Sequence, residues 1–353
     1  MVLIFFFSVK EIKSSYFLFA LDATFFNNKV SYSKNIHMKA SLKLLFIASA
    51  IAISSCTYVE TTPLGTENFT TASEFYSQNG VPVQTYTING STGGSFTSPQ
   101  GTVVSIPANA FLTLANLPVT GNVTIQIKDI FKKSDMVLSN MPTIDMQGAL
   151  LKSGGEFFIK AMSDNSPVYL DNSKKITITA PAGLTGGVDS ANKQVAYRLI
   201  LPQDSELKTS RWSPSNEDSV SSVVLNYVYN FYRFSTPLAT GSWVNCDNNT
   251  YFGKYAKTTL TFMPTDAISN YDPQLYLIFT SVACVVSVYN YENPITCNYA
   301  PIGLKCTLVA FSINNKTLYS TFMPITITAN QTVNFTLKKT TTSEFKVLLD
   351  ALN

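Results

Sequence analysis

Histidine is almost absent from this chain of 353 residues, and His37 is the only one. A serine or cysteine nucleophile that is activated by histidine needs an imidazole close by, and zinc sites built on imidazole need the same side chain. His37 lies in a segment that we expect the mature protein to lack, for the reasons given below. The mature chain would then contain no histidine, which excludes both kinds of site.

Charged residues are also scarce and make up 13% of the chain. No run of Lys or Arg is longer than two residues, so no basic face for nucleic acid is indicated. The sequence also contains no Gly-rich phosphate loop and no CxxC pair. We therefore expect no nucleic-acid partner, no cofactor, no metal site and no catalytic residues.

A short apolar run at residues 44–53 is the most informative stretch of the sequence. It is too short for a transmembrane helix, which needs roughly 20 residues. Lys39 and Lys43 precede the run, and two serines follow it and lead into Cys56. A positively charged start, a short apolar core and a small-residue end are the three parts of a secretory signal. The ending "ISSC" resembles a bacterial lipobox, which implies cleavage before Cys56 and lipidation of its sulfur. The alternative is a core helix that ends in cysteine.

The signal begins unusually late because residues 1–37 precede it. These residues show no sustained helical or strand period, and we interpret them as an upstream extension translated from a misplaced start, with Met38 as the true start and 38–55 as the signal peptide. The alternative is a genuine extension. Removal of residues 1–55 takes away six of the 25 basic and two of the 22 acidic residues, so the net charge falls from +3 to −1.

The chain beyond Cys56 alternates apolar and polar residues in short stretches separated by Gly, Pro, Asn and Asp. In "GNVTIQIKDI", for example, Val123, Ile125 and Ile127 fall on one face of a strand. Such alternation is typical of antiparallel sheets with one wet face, and many short strands of this kind close as sandwiches. The sequence therefore predicts an all-β fold with two antiparallel β-sandwich domains and a short C-terminal helix.

Polar segments suggest where the domains begin and end. Residues 56–80 lack a strand rhythm and are interpreted as a tether. Residues 81–205 are predicted to form the first sandwich, and the Ser-rich residues 206–222 a linker or a long exposed loop. The second sandwich, with the C-terminal helix, is predicted for residues 223–353.

The last residues of the chain change from a strand period to a helical one. Thr341 and Glu344 have the spacing of a capping box. An apolar stripe at helical spacing follows, and we expect it to pack onto the second sandwich. Its members are Phe345, Leu348, Leu349 and Leu352.

Several segments carry a family pattern. In the first half they are "GGSFTSPQGTVVSIPANAF", "VTGNVTIQIKDI", "SDMVLSNMPT" and "LLKSGGEFFIKA", and in the second half "GSWVNCD", "PIGLKCTLVAF" and "TTSEFKVLLDALN". Together they touch most of residues 90–352 and resemble Bacteroidota lipoproteins with a ZU5-like β-sandwich region. ZU5-like modules in better-known proteins mediate protein–protein contacts. The resemblance therefore implies a binding or structural role, but it transfers no functional residue and names no partner.

Four cysteines follow Cys56, and an exported chain can oxidise them. Strand alternation places Cys284 and Cys306 among apolar side chains, where free cysteine packs as a small hydrophobe. We expect buried thiols at these two positions. The alternative is one disulfide, for which Cys284 and Cys306 are the candidate pair. The redox states of Cys246 and Cys297 stay open.

Aromatic residues offer one candidate binding feature, an exposed platform for a sugar ring. Most aromatic side chains of sandwiches lie in the core, which is therefore the preferred interpretation. The six candidates are Trp212, Trp243, Tyr251, Tyr255, Tyr289 and Tyr291.

Oxygen-bearing side chains offer two further candidates. "CDNNT" at residues 246–250 clusters oxygen ligands suited to a hard cation, although Asp and Asn favour turns for their own hydrogen bonding, and we prefer the turn. Asp129, Asp135, Asp145 and Glu156 lie near one another in sequence. Because strand alternation and loops would scatter them, we do not expect an acid/base pair among these four.

Two tripeptides suggest modification. "DSA" and "DSV" resemble Bacteroidota O-glycosylation motifs, with Ser190 and Ser219 as the acceptor residues. Both motifs lie in polar stretches that we expect to be exposed.

These patterns predict a lipid-anchored protein of the bacterial envelope, held in the outer membrane of a Gram-negative bacterium. We expect it to act as a binding or structural module through protein or glycan contacts, without catalysis. The alternative is a glycan-processing hydrolase that uses paired carboxylates. An enzyme site should show two acidic side chains converging in a deep cleft, whereas a binding module should show an exposed aromatic or apolar patch.

Overall fold

The computed structural model describes residues 67–187, 195–200, 211–214, 224–226, 231–236, 242–288 and 294–353. The predicted signal peptide, Cys56, Ser190 and Ser219 lie outside these residues. Within them the fold is all-β, as the sequence predicts, with several antiparallel sheets and three short α-helices.

The first β-sandwich consists of two sheets that face each other across one apolar core. Its strands are β1 (Gln84–Asn89), β2 (Gly94–Thr97), β3 (Val103–Ile106), β4 (Phe111–Leu112), β5 (Asn122–Ile130), β6 (Lys152–Ser163), β7 (Ser166–Pro167), β8 (Tyr169–Leu170), β9 (Ile176–Pro181), β10 (Val195–Ile200), β11 (Arg211–Pro214), β12 (Val224–Asn226), β13 (Phe231–Thr236) and β14 (Ser242–Asn248). One sheet has the order β1-β5-β6-β14-β10-β11, with β7 also paired to β6, and the other has the order β12-β13-β9-β3-β2. The short strands β4 and β8 pair separately.

Alternation along β5 explains how the first core forms. Val123, Ile125 and Ile127 are buried in it, as the sequence predicts, and the residues between them are partly exposed. Ile176 and Ile178 of β9 reach the same core from the opposite sheet. A strand with one apolar face is stable only when a second layer covers that face.

The second β-sandwich follows in the chain. Its strands are β15 (Lys257–Pro264), β16 (Gln274–Phe279), β17 (Val285–Val288), β18 (Ile295–Pro301), β19 (Lys305–Asn314), β20 (Thr317–Thr326), β21 (Thr332–Phe335) and β22 (Lys338–Thr340). The sheets β18-β15-β21 and β17-β16-β19-β20-β22 enclose a second apolar core. The pairing of β15 with β21 is parallel, which the prediction of antiparallel sandwiches did not include.

The five-stranded sheet of the second sandwich is buried on both faces. Leu308 and Ala310 of β19 lie in the second core, whereas Val309 and Phe311 lie in a third core on the other side. Three helices cover that side: α1 (Ala72–Asn79), α2 (Lys133–Leu138) and α3 (Thr342–Asp350). A strand covered on both faces needs apolar residues at successive positions, which explains the uninterrupted apolar run in β19.

Strand pairing crosses the segment that the sequence interprets as a linker. Strands β13 and β14, which the prediction assigned to the second sandwich, pair with β9 and β6 of the first. Arg211–Pro214, inside the predicted linker, forms β11 and pairs with β10. The first sandwich therefore takes strands from both sides of residues 206–222, and the strands of the second begin with β15.

Helix α1 lies in the segment predicted as a tether. Thr71 and Glu74 form a capping box at its start, which stabilises a helix end by supplying partners for free backbone N–H groups. Phe69 and Phe75 are buried in the third core, and the Phe75 ring lies 4.9 Å from that of Phe311. These residues are therefore packed against the fold.

Helix α3 follows the sequence prediction except at one residue. The capping box of Thr341 and Glu344 is present, and Phe345 and Leu349 are buried in the third core. The prediction for Leu348 is wrong, because its side chain is 47% exposed. Leu348 lies at the edge of the stripe, so a short helix can bury its neighbours and leave it outside. Among the residues that the structure describes, no helix has the length and apolar character needed to cross a membrane.

Candidate functional site

A pocket of about 280 Å³ lies where the loops of the two sandwiches meet. Three lysines line it: Lys132 precedes α2, Lys133 is the first residue of α2, and Lys152 is the first residue of β6. Tyr251 and residues 280–283 also line it. We call this the lysine pocket. Its volume is slightly below the range of about 300–1,000 Å³ that is usual for small-molecule pockets, so it suits one small group.

The side chains that line the lysine pocket give it positive charge. Lys132 is exposed, whereas Lys133 is buried and its Nζ donates to the carbonyl oxygen of Phe279 at 3.0 Å. Burial lowers the pKa of Lys133 from its usual value, because the charged ammonium loses hydration. No Asp or Glu side chain of the described residues lines the pocket. The pocket is therefore suited to an anionic group.

Two lysines lie close to the ring of Tyr251. The Nζ of Lys152 lies 5.4 Å from the ring centroid, and that of Lys254 lies 5.0 Å from it. A cation within about 6 Å of an aromatic face is attracted by the ring quadrupole. Of the two lysines, Lys152 lines the pocket together with Tyr251, so aromatic area and positive charge lie side by side there.

The turn before Tyr251 explains how the ring is placed. The Oδ1 of Asn248 accepts hydrogen bonds from the backbone N–H groups of Thr250 and Tyr251, both at 2.9 Å. Asn commonly organises turns through this type of bond. The turn that the sequence predicted within residues 246–250 is confirmed, and it leads into the 3-10 helix Tyr251–Lys254.

A pair of carboxylates lies on neighbouring strands of the first sandwich. Glu156 of β6 pairs across the ladder with Asn245 of β14, and Asp247 follows beyond a bulge. The Nδ2 of Asn245 donates to the Oδ2 of Asp247 at 2.6 Å. All three residues have 0% exposure. The sequence prediction considered Glu156 only with the acids near it in sequence and missed Asp247, because pairing of distant strands leaves no local pattern.

Burial governs the ionisation of these two carboxyl groups. It raises the pKa of Glu156 well above its usual value, and the charge of Asp247 raises it further. The pKa of Asp247 is also raised by burial, although hydrogen bonds from the Ser153 side chain and the Gly154 backbone oppose this. Taking a carboxylate out of water disfavours its charged form. Neither group is therefore placed to act on a molecule in solvent.

Gly155 fixes the backbone next to Glu156. It has a φ of +124°, and a Cβ at this position would come within 2.6 Å of Cε1 of Phe131 and 2.8 Å of Cζ of Phe157. Only glycine combines this conformation with such close neighbours. Glycine at position 155 is thus required by the packing of two aromatic rings.

The other acidic candidates have structural partners. The Oδ2 of Asp129 accepts from Ser98 at 2.5 Å and from Thr102 at 2.8 Å, and its Oδ1 accepts from Gln84 at 3.1 Å. The Oδ1 of Asp145 accepts from the backbone N–H groups of residues 147 and 149. Asp135 lies in α2, and burial raises its pKa. Glu156 is the only one of the four sequence candidates that belongs to the carboxylate pair.

The aromatic candidates divide between core and pocket. Trp212 is fully buried, and its Nε1 donates to the carbonyl oxygen of Pro142 at 2.8 Å. Trp243 packs against the third core, and Tyr255 against the second. Tyr251 is the one candidate in the described chain that lines the lysine pocket. Tyr289 and Tyr291 lie outside the described residues.

All four described cysteines are buried free thiols. Burial raises the pKa of Cys297 and of Cys306 to about 12, and it also raises those of Cys246 and Cys284. The thiolate is the reactive form of cysteine. These four thiols are therefore inert packing groups in this structure.

No family model matches the chain, and no curated protein is significantly similar to it. In the described part of the chain, no group of three or more His, Cys, Asp or Glu side chains could hold a metal ion. The site must therefore be judged from its own geometry, and the lysine pocket is the feature that best suits a ligand. Sequence reasoning missed it because its lysines come from separate elements.

Proposed function

We propose that this protein is a lipid-anchored module of the bacterial envelope that binds an acidic sugar of a glycan without cleaving it. The lysine pocket is the observation that carries the proposal. Lys132, Lys133 and Lys152 supply positive charge, and the Tyr251 ring adds aromatic area to the lining, which suits contact with a sugar ring. A uronate or a similar acidic sugar would bring a carboxylate to the lysines and a sugar ring to Tyr251.

The position of the carboxylate pair supports binding over hydrolysis. A glycosidase holds its two carboxyl groups on either side of the scissile bond, so both must reach the substrate. Glu156 and Asp247 are fully buried, and neither lines the lysine pocket. The alternative of a hydrolase with paired carboxylates would need a different pair from this one.

Matched sugars test the proposed ligand class. Galacturonate and galactose differ at one carbon, which carries a carboxylate in the first sugar and a hydroxymethyl group in the second. We expect measurable binding of galacturonate and much weaker binding of galactose, with an affinity for galacturonate that falls as salt is raised. Ligand-observed NMR would measure both. Equal binding of the two sugars would contradict the proposal.

A pair of lysine variants tests the site itself. Lys132→Met removes a charge from the pocket and keeps most of the stem, and we expect galacturonate to bind about fivefold to tenfold more weakly, which corresponds to about 1–1.4 kcal/mol. Lys339→Met is the matched control, because Lys339 is exposed on β22 and does not line the pocket. Equal affinities for both variants and the unchanged protein would place the ligand elsewhere.

The lipid anchor has its own test. Produced in a bacterial host that lipidates exported proteins, the chain should incorporate labelled palmitate, and Cys56→Ser should abolish this incorporation. Several acyl chains, each contributing about 0.8 kcal/mol per buried CH₂, would hold the protein firmly on a membrane. An unmodified chain that begins at Met1, measured by intact mass, would overturn both the anchor and the proposed start at Met38.

A further inference from the structure

A second polar cluster lies away from the lysine pocket and consists of Glu156, Asn245 and Asp247. Glu156 and Asn245 are directly opposite each other on β6 and β14, so their side chains lie on one face with Cβ atoms about 5 Å apart. Asp247 joins them through its hydrogen bond from the Nδ2 of Asn245. All three side chains are fully buried. We call this group the buried acidic cluster.

Four oxygen atoms of the cluster have no hydrogen-bond donor in the part of the chain that the structure describes. They are Oε1 and Oε2 of Glu156, Oδ1 of Asp247 and Oδ1 of Asn245. A buried acceptor without a partner destabilises the fold, and more so when it is charged. Native proteins rarely keep several such atoms together without water or a bound ligand to satisfy them. The Asn245 oxygen is a neutral amide acceptor, and it also has no donor among the described residues.

Asp129 shows how this chain treats a buried carboxylate that holds no ion. Four side chains donate to the Asp129 carboxylate, from Gln84, Ser98, Gln100 and Thr102. Both oxygens of Glu156, which is equally buried, have no donor among the residues that the structure describes. The carboxylate of Asp129 is therefore satisfied by hydrogen bonds, whereas the oxygens of Glu156 are available to another partner.

We infer that the buried acidic cluster binds one hard divalent cation, for which calcium is the best match. Calcium takes about six to eight oxygen ligands, including bidentate carboxylates and amide carbonyls. The two carboxylates would balance its charge, and the Asn245 oxygen would be the third protein ligand, with main-chain carbonyls or water completing the shell. Magnesium fits less well, because it gives up its hydration water reluctantly.

The location gives such an ion a structural role. Ser153, at the start of β6, pairs with Asp247, and its backbone N–H donates to the carbonyl oxygen of Ala283 in the second sandwich at 2.8 Å. A cation that links Glu156 with Asp247 would therefore fix β6 to β14 near the point where the two sandwiches touch. Because the ion would bind the folded chain and not the unfolded chain, it would stabilise the folded state.

The test uses the full chain, unfolded and refolded either in calcium chloride or in EGTA, because a buried site loads most readily during folding. Equilibrium dialysis with radioactive calcium should give one ion per chain. The thermal midpoint should be several degrees higher in calcium than in EGTA, with a smaller rise in magnesium. No bound calcium, together with the same midpoint in both buffers, would overturn the inference and would indicate that the two carboxyl groups hold protons instead.

Two variants separate the ion from general packing. Glu156→Gln keeps the shape of the side chain and should abolish calcium binding and the difference between the two buffers. Asp129→Asn is the control, because it changes a buried carboxylate outside the cluster and should retain the calcium-dependent rise at a lower midpoint. Calcium binding that survives Glu156→Gln would overturn the assignment of the site. If that variant does not fold, the stoichiometry of the unchanged protein still decides the question.

Discussion

Leu348 and Leu349 are neighbours in α3 with opposite environments. Leu349 is fully buried in the third core with Phe345, whereas Leu348 is 47% exposed. The helical period of the sequence places both residues in the apolar stripe. The period shows which side of the helix is apolar, but it does not show how wide a surface another layer covers. Side-chain burial at the edge of a stripe is therefore a property of the tertiary fold.

Truncation of Leu349 tests the docking of this helix. We expect Leu349→Ala to destabilise the protein by about 2–5 kcal/mol, the usual range for a buried leucine that leaves a cavity. Leu348→Ala and Lys346→Ala should have small effects, because the Leu348 side chain is half exposed and Lys346 is not part of the buried stripe. Urea unfolding of the three variants gives the comparison. Similar, negligible losses in all three would mean that α3 is undocked in solution.

Acidic residues show the same limit of sequence reasoning at the residue scale. Sequence proximity groups Glu156 with Asp129, Asp135 and Asp145, yet its partner in the structure is Asp247, 91 positions along the chain. The oxygen-rich stretch at residues 246–250 was predicted to form a turn in preference to a cation site, and the turn is confirmed. Asn248 makes the turn, and Asp247 belongs to the buried acidic cluster that we infer to bind calcium.

At the scale of elements, the strands are well predicted and their partners are not. Alternation places Val123, Ile125 and Ile127 of β5 in the core correctly, since it depends only on the geometry of one strand. The pairing of β14 with β6 joins residues far apart in the chain. Residues 206–222 are polar and Ser-rich. This composition is typical both of a linker between two domains and of a segment that joins strands of one domain, so it does not distinguish them.

Cleavage between strands tests this pairing. A protease site inserted between residues 215 and 220 would divide the chain while leaving β6 and β14 intact. We expect the two fragments to remain together in size-exclusion chromatography without denaturant, because β13 and β14 are hydrogen-bonded to β9 and β6. A variant with the same protease site inserted within residues 289–293 shows whether cleavage elsewhere in the chain gives the same result. Separation of the 215–220 fragments under native conditions would contradict the strand order described here.

At the scale of the whole molecule, composition predicted the all-β class and a sandwich-like architecture, which follow from short alternating strands. It did not predict the third core, because the helices that form it come from residues 72–79, 133–138 and 342–350. The lysine pocket depends in the same way on loops from distant parts of the chain. The lipid anchor, the envelope location and the ZU5-like resemblance stay predictions. Palmitate labelling of Cys56 tests the anchor, and sugar-binding measurements test the proposed binding role.

Isothermal titration calorimetry with a short oligogalacturonate tests the central claim most directly. The account predicts a binding heat that saturates near one ligand per chain, weakens with salt, and is followed by recovery of the oligosaccharide at its original length. Steady heat that continues after mixing, with shorter products in the recovered ligand, would show hydrolysis and contradict the claim. Absence of any binding heat would contradict it as well.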